Sequence, residues 1–416
     1  MDRFSTFTPR AVPRSTSLLR DPPATVLPAR HAGFSESHPA AAWPLAGSIS
    51  LAHDYLLVMR GAERTFAAIA DLYPQAPIFT LLHDEQGTNG RFAGRSITTS
   101  PLQRFGIDQA AFRRLLPLYP KAIERLRLPD SAVVLSSSSA FAHGVRVPDG
   151  AVHVCYCYTP FRYAWDEESY ALGEISPPLR PLLRRELRRI RKWDLAASRR
   201  VDAYIAISQL SRERIKRHYG RDAPVIHPPV ETHRFAPGTP GDSLLLVSEI
   251  LPHKRLRVAL EAARRTHSPI QVVGAGPHLN EIKDAYPEAQ FLGRASDEDL
   301  VELYASARAV LMPNVEEFGI TAVEAQAAGR PVIAAAAGGA LETVLDGRTG
   351  RLAKPDDVDS FAHAIESIDQ LDFNPADAVQ NAERFSVRAF ERRLSAYVAQ
   401  IVASSSRSTT ASRSAR

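Results

Sequence analysis

Cysteine is nearly absent from the chain: two residues, Cys155 and Cys157, among 416. They stand two apart in AVHVCYCYTP, so a strand there points both side chains to one face, where a disulfide would be strained. No CxxC pair and no zinc spacing accompanies them, and both read as buried thiols. No apolar run approaches the ~20 residues that a membrane-spanning helix needs. The Arg-punctuated amino terminus also lacks the apolar core of a secretory signal, which makes the cytoplasm the expected compartment. Neither sign of charge dominates, since 51 Lys+Arg against 46 Asp+Glu leave a formal net charge of +5. The pI of about 9.2 is compatible with nucleic acid, an anionic membrane surface or a phosphorylated substrate. What is present, 44% hydrophobic and 23% charged residues, fits a soluble globular protein and excludes collagen, coiled coil and wholesale disorder. The length predicts two or three domains at roughly 150 residues each.

Residues 1–46 are rich in Pro, Arg, Ser and Ala without apolar periodicity, which predicts a disordered N-terminal tail. SISLAHDY, APIFTLL, AVVLSSSS, AVHVCYCY and DAYIAIS then alternate with helix-like stretches such as ERTFAAIADLY, the pattern of a parallel sheet. This predicts a Rossmann-like domain over 47–236, followed by a turn-rich PGTPGD linker at 237–242. The alternation restarts with SLLLVSEI, LRVALEAARR, PIQVVGAG, AQFLG, DEDLVELYASA, RAVLMP, TAVEAQAAG and RPVIAAAA, predicting a second doubly wound domain over 243–385. A C-terminal helix is expected over 386–403, around FERRLSAYVAQIVA, and a solvated, disordered tail over 404–416. The fold class is thus α/β, with two doubly wound domains facing a central cleft, since such sheets bind ligands at the carboxyl ends of their strands.

The segment PNVEEFGITAVEAQAAGRPVIA, residues 313 to 334, carries the strongest chemical signal. A loop bearing Glu316 and Glu317 leads through Gly319 into a helix starting near Ile320, and unpaired N–H groups at a helix start attract phosphate. Glu316 in the loop and Glu324 about a turn into the helix can grip two parts of one ligand, and a carboxylate accepting two hydroxyl protons suits a vicinal diol. The alternative is that such glutamates merely answer the helix dipole. In VSEILPHKR, Lys254 and Arg255 occupy the turn after the first strand of the second domain. Cations at a helix start oppose its dipole, which favours a diphosphate partner over simple solvation. Gly274 and Gly276 of VVGAGP end the next strand and would let a ligand approach the backbone, and GGALETVLDGRTGRL adds Gly338, Gly339 and Glu342.

In this order VSEILPHKR, VVGAGP, FLGRASDEDLVELYASARAVLMPNVEEFGITAVEAQAAGRPVIA and GGALETVLDGRTGRL resemble the family 4 glycosyltransferases of GT-B fold, including bacterial mannosyltransferases of surface polysaccharide assembly. HDYLLVMRGAER, SSSSAFAHGV and HVCYCYTPFRYAWD look like the acceptor-side segments of that family, and the likeness spans about residues 48 to 385. The resemblance implies a sugar-nucleotide donor in the second domain and an acceptor held mainly by the first. It implies that Glu316 contacts donor-sugar hydroxyls, Glu324 the ribose and Lys254 the diphosphate. Backbone groups of Phe318, Gly319 and Ile320 would meet the diphosphate as well, with anomeric configuration retained and no metal ion or cofactor. Two departures stand out. Many members have Arg where this chain has Glu249, so that Arg255 or a first-domain residue would replace a missing phosphate cation. Arg60 also occupies a position that is commonly Gly, so either the loop widens or Arg60 itself reaches phosphate.

The candidate catalytic residues are therefore Lys254, Glu316 and His143. The candidate donor-binding residues are Arg255, Gly274, Gly276, Glu317, Phe318, Gly319, Ile320 and Glu324. On the acceptor side stand Asp54, Arg60, Gly61, Tyr158, Arg162, Trp165 and Asp166. His143 could touch donor sugar or acceptor hydroxyl, or be a polar loop residue satisfied by backbone. Asp54 and Asp166 could instead cap helices, and Tyr158, Phe161, Tyr163 and Trp165 could stack on a sugar or a lipid, or be core. The carboxylates do not read as a glycosidase pair, which must flank the scissile bond. Catalysis is expected from stabilising the departing diphosphate, with a leaving phosphate oxygen or a nearby residue accepting the acceptor proton.

Between residues 180 and 200, RPLLRRELRRIRKWDLAASRR suits attachment of an amphipathic basic helix to anionic lipid, at the inner face of the cytoplasmic membrane, or equally a solvated helix face. The expected function is transfer of a hexose, mannose from GDP-mannose in the first instance and a UDP-sugar in the alternative, to a saccharide or lipid-linked acceptor in polysaccharide or glycolipid synthesis. A sugar-nucleotide epimerase of similar build would need no acceptor, and YCYTPFRYAWD argues against it. No stacking module or groove-reading motif supports nucleic-acid binding.

Overall fold

The computed structural model describes residues 49–105 and 112–414, with backbone alone for 112, 113 and 406–414. The tail expected over 1–46 lies outside the described residues. The first lobe is a six-stranded sheet of β1 (Ile49–His53), β2 (Ile78–Thr80), β3 (Ile97–Thr99), β4 (Val133–Ser138), β5 (Val152–Cys157) and β6 (Ala203–Ala206). The second contains β7 (Leu244–Val247), β8 (Ile270–Val273), β9 (Gln290–Gly293), β10 (Ala309–Met312), β11 (Val332–Ala335) and β12 (Gly350–Ala353). Their orders, β3-β2-β1-β4-β5-β6 and β12-β11-β10-β7-β8-β9, repeat one topology, and every pairing of these strands is parallel. Runs such as LLLV in β7 and AVLM in β10 are apolar on both faces because helices cover both. Cys155 and Cys157 are buried, unbridged thiols on β5.

The order reverses between β1 and β4 in one sheet and between β7 and β10 in the other, and ligands of open α/β sheets bind at such switch points. Asp54 and the Ser138–His143 turn stand at the first, and Glu249, Lys254 and Glu316 at the second.

Two stretches of chain join the lobes side by side. The Val230 N–H donates to the Phe385 carbonyl at 2.9 Å, and rings of His227, Phe318 and Phe385 pack around this crossing with centroids 5.1 to 5.6 Å apart. The PGTPGD stretch lies against the second lobe: Gly241 N–H donates to Ser306 O, and Arg330 donates to Gly238 O, each at 2.8 Å.

The C-terminal helix, Val387–Ser414, passes back over the first lobe, with Phe390, Leu394 and Val398 buried and Phe390 edge-on to Tyr156 of β5 at 5.6 Å. It runs past 403, where a disordered tail is expected to begin, and its Ser, Thr, Ala and Arg residues include no Pro or Gly to stop it. Among the described residues no helix is long and apolar enough to cross a membrane.

Candidate active site

The Ile320–Ala327 helix begins at Gly319, whose φ of +87° is a conformation that favours glycine. No side chain caps this helix start, leaving its first N–H groups and the positive end of its dipole available to an anion. Glu316, three residues earlier, accepts from Asn314 Nδ2 and from Lys254 Nζ on the same oxygen, each at 2.6 Å. Lys254 reaches it from the turn Pro252–Lys254 after β7, and Glu316 from the loop after β10, so adjacent strands deliver the pair. Glu324, on the helix itself, accepts from the Tyr304 hydroxyl at 2.8 Å. Burial raises its pKa, against the opposing pull of that hydrogen bond, Arg64 and Arg234.

The first lobe closes over this helix start. The Gly61–Leu72 helix begins so near that a Cβ on Gly61 would stand 3.3 Å from Ile320 Cδ1. Arg214 Nη1 donates to Glu317 Oε1 at 2.8 Å, and Arg162 Nη2 lies 3.4 Å from the same oxygen. Burial works against ionisation of Glu317, but the two guanidiniums outweigh it and hold the carboxyl below the usual range. Glu342 forms a further bridge, accepting from the Gln209 N–H at 2.8 Å and lying 2.9 Å from His227 Nε2.

Residues 60–234 match the family described as Glycosyltransferase Family 4, and residues 231–385 match Glycosyl transferases group 1. Between them the two matches span residues 60–385, and both describe glycosyltransferases. It is 34% identical over 218 residues to a D-inositol 3-phosphate glycosyltransferase of Mycobacterium sp. strain KMS, covering 45% of this chain and 49% of that one. It is 31% identical over 229 residues to a GDP-mannose-dependent alpha-(1-6)-phosphatidylinositol monomannoside mannosyltransferase of Mycolicibacterium smegmatis, covering 46% and 57%. The chain thus spans about half the length of the curated relatives it matches. Among solved structures, HepE of Anabaena with UDP and glucose superposes with a TM-score of 0.63 at 19% identity, over 85% of this chain and 100% of that one. Sucrose-phosphate synthase of Thermosynechococcus elongatus gives 0.60 at 18%, over 86% and 99%. The two-lobed architecture is the GT-B fold.

The structure brings Lys254, Glu316, Glu324, Gly319, Ile320, Gly61 and Arg60 to one cleft and redirects several other candidates. Arg255 turns away from Lys254: its backbone is left-handed at φ +56°, and its Nε meets Asp356 at 3.0 Å beside a cavity of about 570 Å³. Gly274 and Gly276 serve backbone packing, because a Cβ would fall 1.9 Å from Ser248 O at the first and 2.2 Å from Ile250 O at the second. Glu317 is occupied by Arg162 and Arg214, whereas Phe318 keeps its backbone beside Gly319 at the helix start while its ring is buried at the lobe crossing.

Several first-lobe candidates prove to be framework. His143 is only 3% exposed, with Nε2 at 3.2 Å from Asp194 Oδ1 and Nδ1 at 3.3 Å from Ser138 Oγ. Burial disfavours its protonation, but Asp194 more than offsets this and raises its pKa. Asp54 accepts the N–H groups of Ser139, Phe141 and Ala142 at 2.6, 2.7 and 2.6 Å, which makes it the anchor of the 138–144 turn. The Tyr158 hydroxyl donates to Ala62 O at 2.8 Å and so braces the Gly61 turn from below. Trp165 Nε1 donates to Asp194 at 2.7 Å while its ring stacks on His218 at 4.6 Å. Asp166 pairs with His218 at 3.0 Å and Arg214 at 3.6 Å. The residues beyond the candidate set are Asp194, Arg214, Asn314, Tyr304 and His227. Of these only Asn314 carried a local signal, as a neighbour of Glu316 in PNVEEFG.

Proposed function

We propose that the chain transfers a hexosyl group, mannose from GDP-mannose, to a saccharide or lipid-linked acceptor, a phosphoinositide included, in surface polysaccharide or glycolipid synthesis. The observation that carries this reading is the convergence of Lys254 and Glu316 at 2.6 Å beside the uncapped helix start at Ile320. The diphosphate lies against the Gly319–Ile320 amides with Lys254 as its cation, Glu316 holds hydroxyls of the donor sugar, and Glu324 holds the ribose. As the sugar–phosphate bond breaks, negative charge grows on the departing diphosphate, where amides and lysine already point, and no divalent cation is required. A phosphate oxygen takes the acceptor proton, and configuration at the transferred carbon is retained. Mannosyl transfer is supported by the GDP-mannose-dependent mannosyltransferase of Mycolicibacterium smegmatis that the chain resembles. Transfer from a UDP-sugar is the second reading, supported by the UDP and glucose held by the HepE structure.

The chain acts in the cytoplasm, docked on the inner membrane face through the Arg180–Ser198 helix. Leu187, Ile190 and Ala197 face the core, while Leu179 and Leu182 are 53% and 66% exposed next to exposed Arg185, Arg188 and Lys192. The test is incubation of purified protein with radiolabelled GDP-mannose and a panel of UDP-sugars, with membrane extract and with or without a chelator. Label entering lipid from GDP-mannose, undiminished by the chelator, is expected. No calorimetric affinity of folded protein for any sugar nucleotide would overturn the reading.

A further inference from the structure

We propose that Arg60 is a ligand of the donor diphosphate, paired with Glu249 until the donor arrives and then exchanged from that carboxylate to phosphate. This rests on the sugar-nucleotide reading above and assigns Arg60 to the donor rather than to the acceptor.

Arg60 occupies the N-cap position of the Gly61–Leu72 helix. Its own N–H is taken by Glu63 Oε2 at 3.2 Å, which fixes the backbone and leaves the side chain to cross the cleft. There Nη2 stands 3.2 Å from Glu249 Oε1, on the loop that follows β7. The adjacent residue, Gly61, is the one whose added Cβ would come within 3.3 Å of Ile320 Cδ1. Arg60 is therefore one residue from the point where two helix starts, each with its dipole's positive end, face each other across the cleft. An anion between them is attracted by both.

The Arg60–Glu249 pair is built to be exchanged. The two side chains are 56% and 49% exposed, and such pairs contribute little to stability. A diphosphate offers more charge than a single carboxylate, with oxygens spaced for the guanidinium fork. The exchange also answers an electrostatic problem, because Glu249 alone would repel a diphosphate at this switch point. Neutralised by Arg60, it keeps the guanidinium extended over the site that the donor enters.

A second role for the same contact is a plain bridge between the lobes, or simple neutralisation of Glu249. A double-mutant cycle separates these, with calorimetric dissociation constants for GDP and UDP read on the full chain. Arg60→Gln should weaken nucleoside diphosphate binding about tenfold, and Glu249→Gln should strengthen it. Arg60→Gln should still cost about tenfold in the Glu249→Gln background, and the loss should vanish with guanosine or uridine as the probe. If Arg60→Gln is silent in that background, or if both single variants weaken binding alike, Arg60 is a bridge and the proposal falls. If the wild-type chain binds neither diphosphate, the donor reading itself falls, which is a different result.

Discussion

Lys254 and Glu316 meet at 2.6 Å although 62 residues separate them in the chain, because the strands that carry them, β7 and β10, are neighbours at the switch point of the second sheet. The contact leaves the lysine poised at the helix start where the leaving diphosphate would gather charge. Lys254→Ala should lower kcat/KM by about a hundredfold or more, the scale of losing one preorganised group that stabilises developing charge. The pair is partly exposed, at 21% and 30%, so the unfolding midpoint should stay within a few degrees of wild type. Near wild-type turnover in a folded variant would remove Lys254 from the chemistry.

Asp54 leads to the opposite expectation. Its carboxylate satisfies three backbone N–H groups inside the first lobe, and buried donors stripped of a charged acceptor cost about 1 to 3 kcal/mol each. Asp54→Ala should therefore destabilise the fold by about 3 kcal/mol or more, read as a lower urea midpoint. A midpoint equal to wild type would reopen a direct role at the acceptor.

What was legible in the sequence, and what was not, follows from the range of each signal. Glu316 and Glu324 announce themselves because a loop, a glycine and a helix start lie in one short window, and Lys254 because it stands in a turn of its own directly after a strand. Arg214 has no such window: it stands 103 residues from Glu317 and meets it only when the lobes close. Asp194 reads as an ordinary acid in a basic helix, and its burial depends on Trp165, Tyr219 and His143 assembling around it. His143 and Trp165 therefore look like cleft residues while folding into the framework that supports it. The edge strands β3 and β12, of three and four residues, escape the pattern because ITT and GRLA are too short to show a period.

Glu63 gives the chain a pH dependence of definite sign. Burial is the main cause that lifts its pKa from 4.5 to about 7, against hydrogen bonds from its own and the Arg60 backbone and the charge of Arg60. A raised carboxyl favours folding while it stays protonated, so its contribution is full below about pH 4.5 and is lost as pH rises through about 7. Relative to Glu63→Gln, the wild-type unfolding free energy should fall by up to about 3 kcal/mol between about pH 5 and 8. Parallel stability curves for the two proteins would count against this assignment.

Membrane docking makes a prediction that separates charge from apolar contact. The Arg180–Ser198 helix is anchored by Arg191 to Glu168 and by Arg189 to the Pro117 carbonyl, so these two arginines are committed to the fold. Pro117 is followed by Leu118, 46% exposed, which joins Leu179 and Leu182 as apolar groups open to solvent. Arg185, Arg188 and Lys192 supply the charge beside them. Binding to anionic vesicles should thus have two parts, an electrostatic one worth about 1 kcal/mol per cation near the surface and an apolar one from the leucines. Replacing Arg185, Arg188 and Lys192 with Gln should abolish the salt dependence of co-sedimentation, whereas Leu182→Gln should weaken binding at every salt concentration. Neither change touches the cleft, so hexosyl transfer to a soluble acceptor should be unaltered in both. Wild-type protein that fails to sediment with anionic vesicles at low ionic strength would leave this helix as a solvated face.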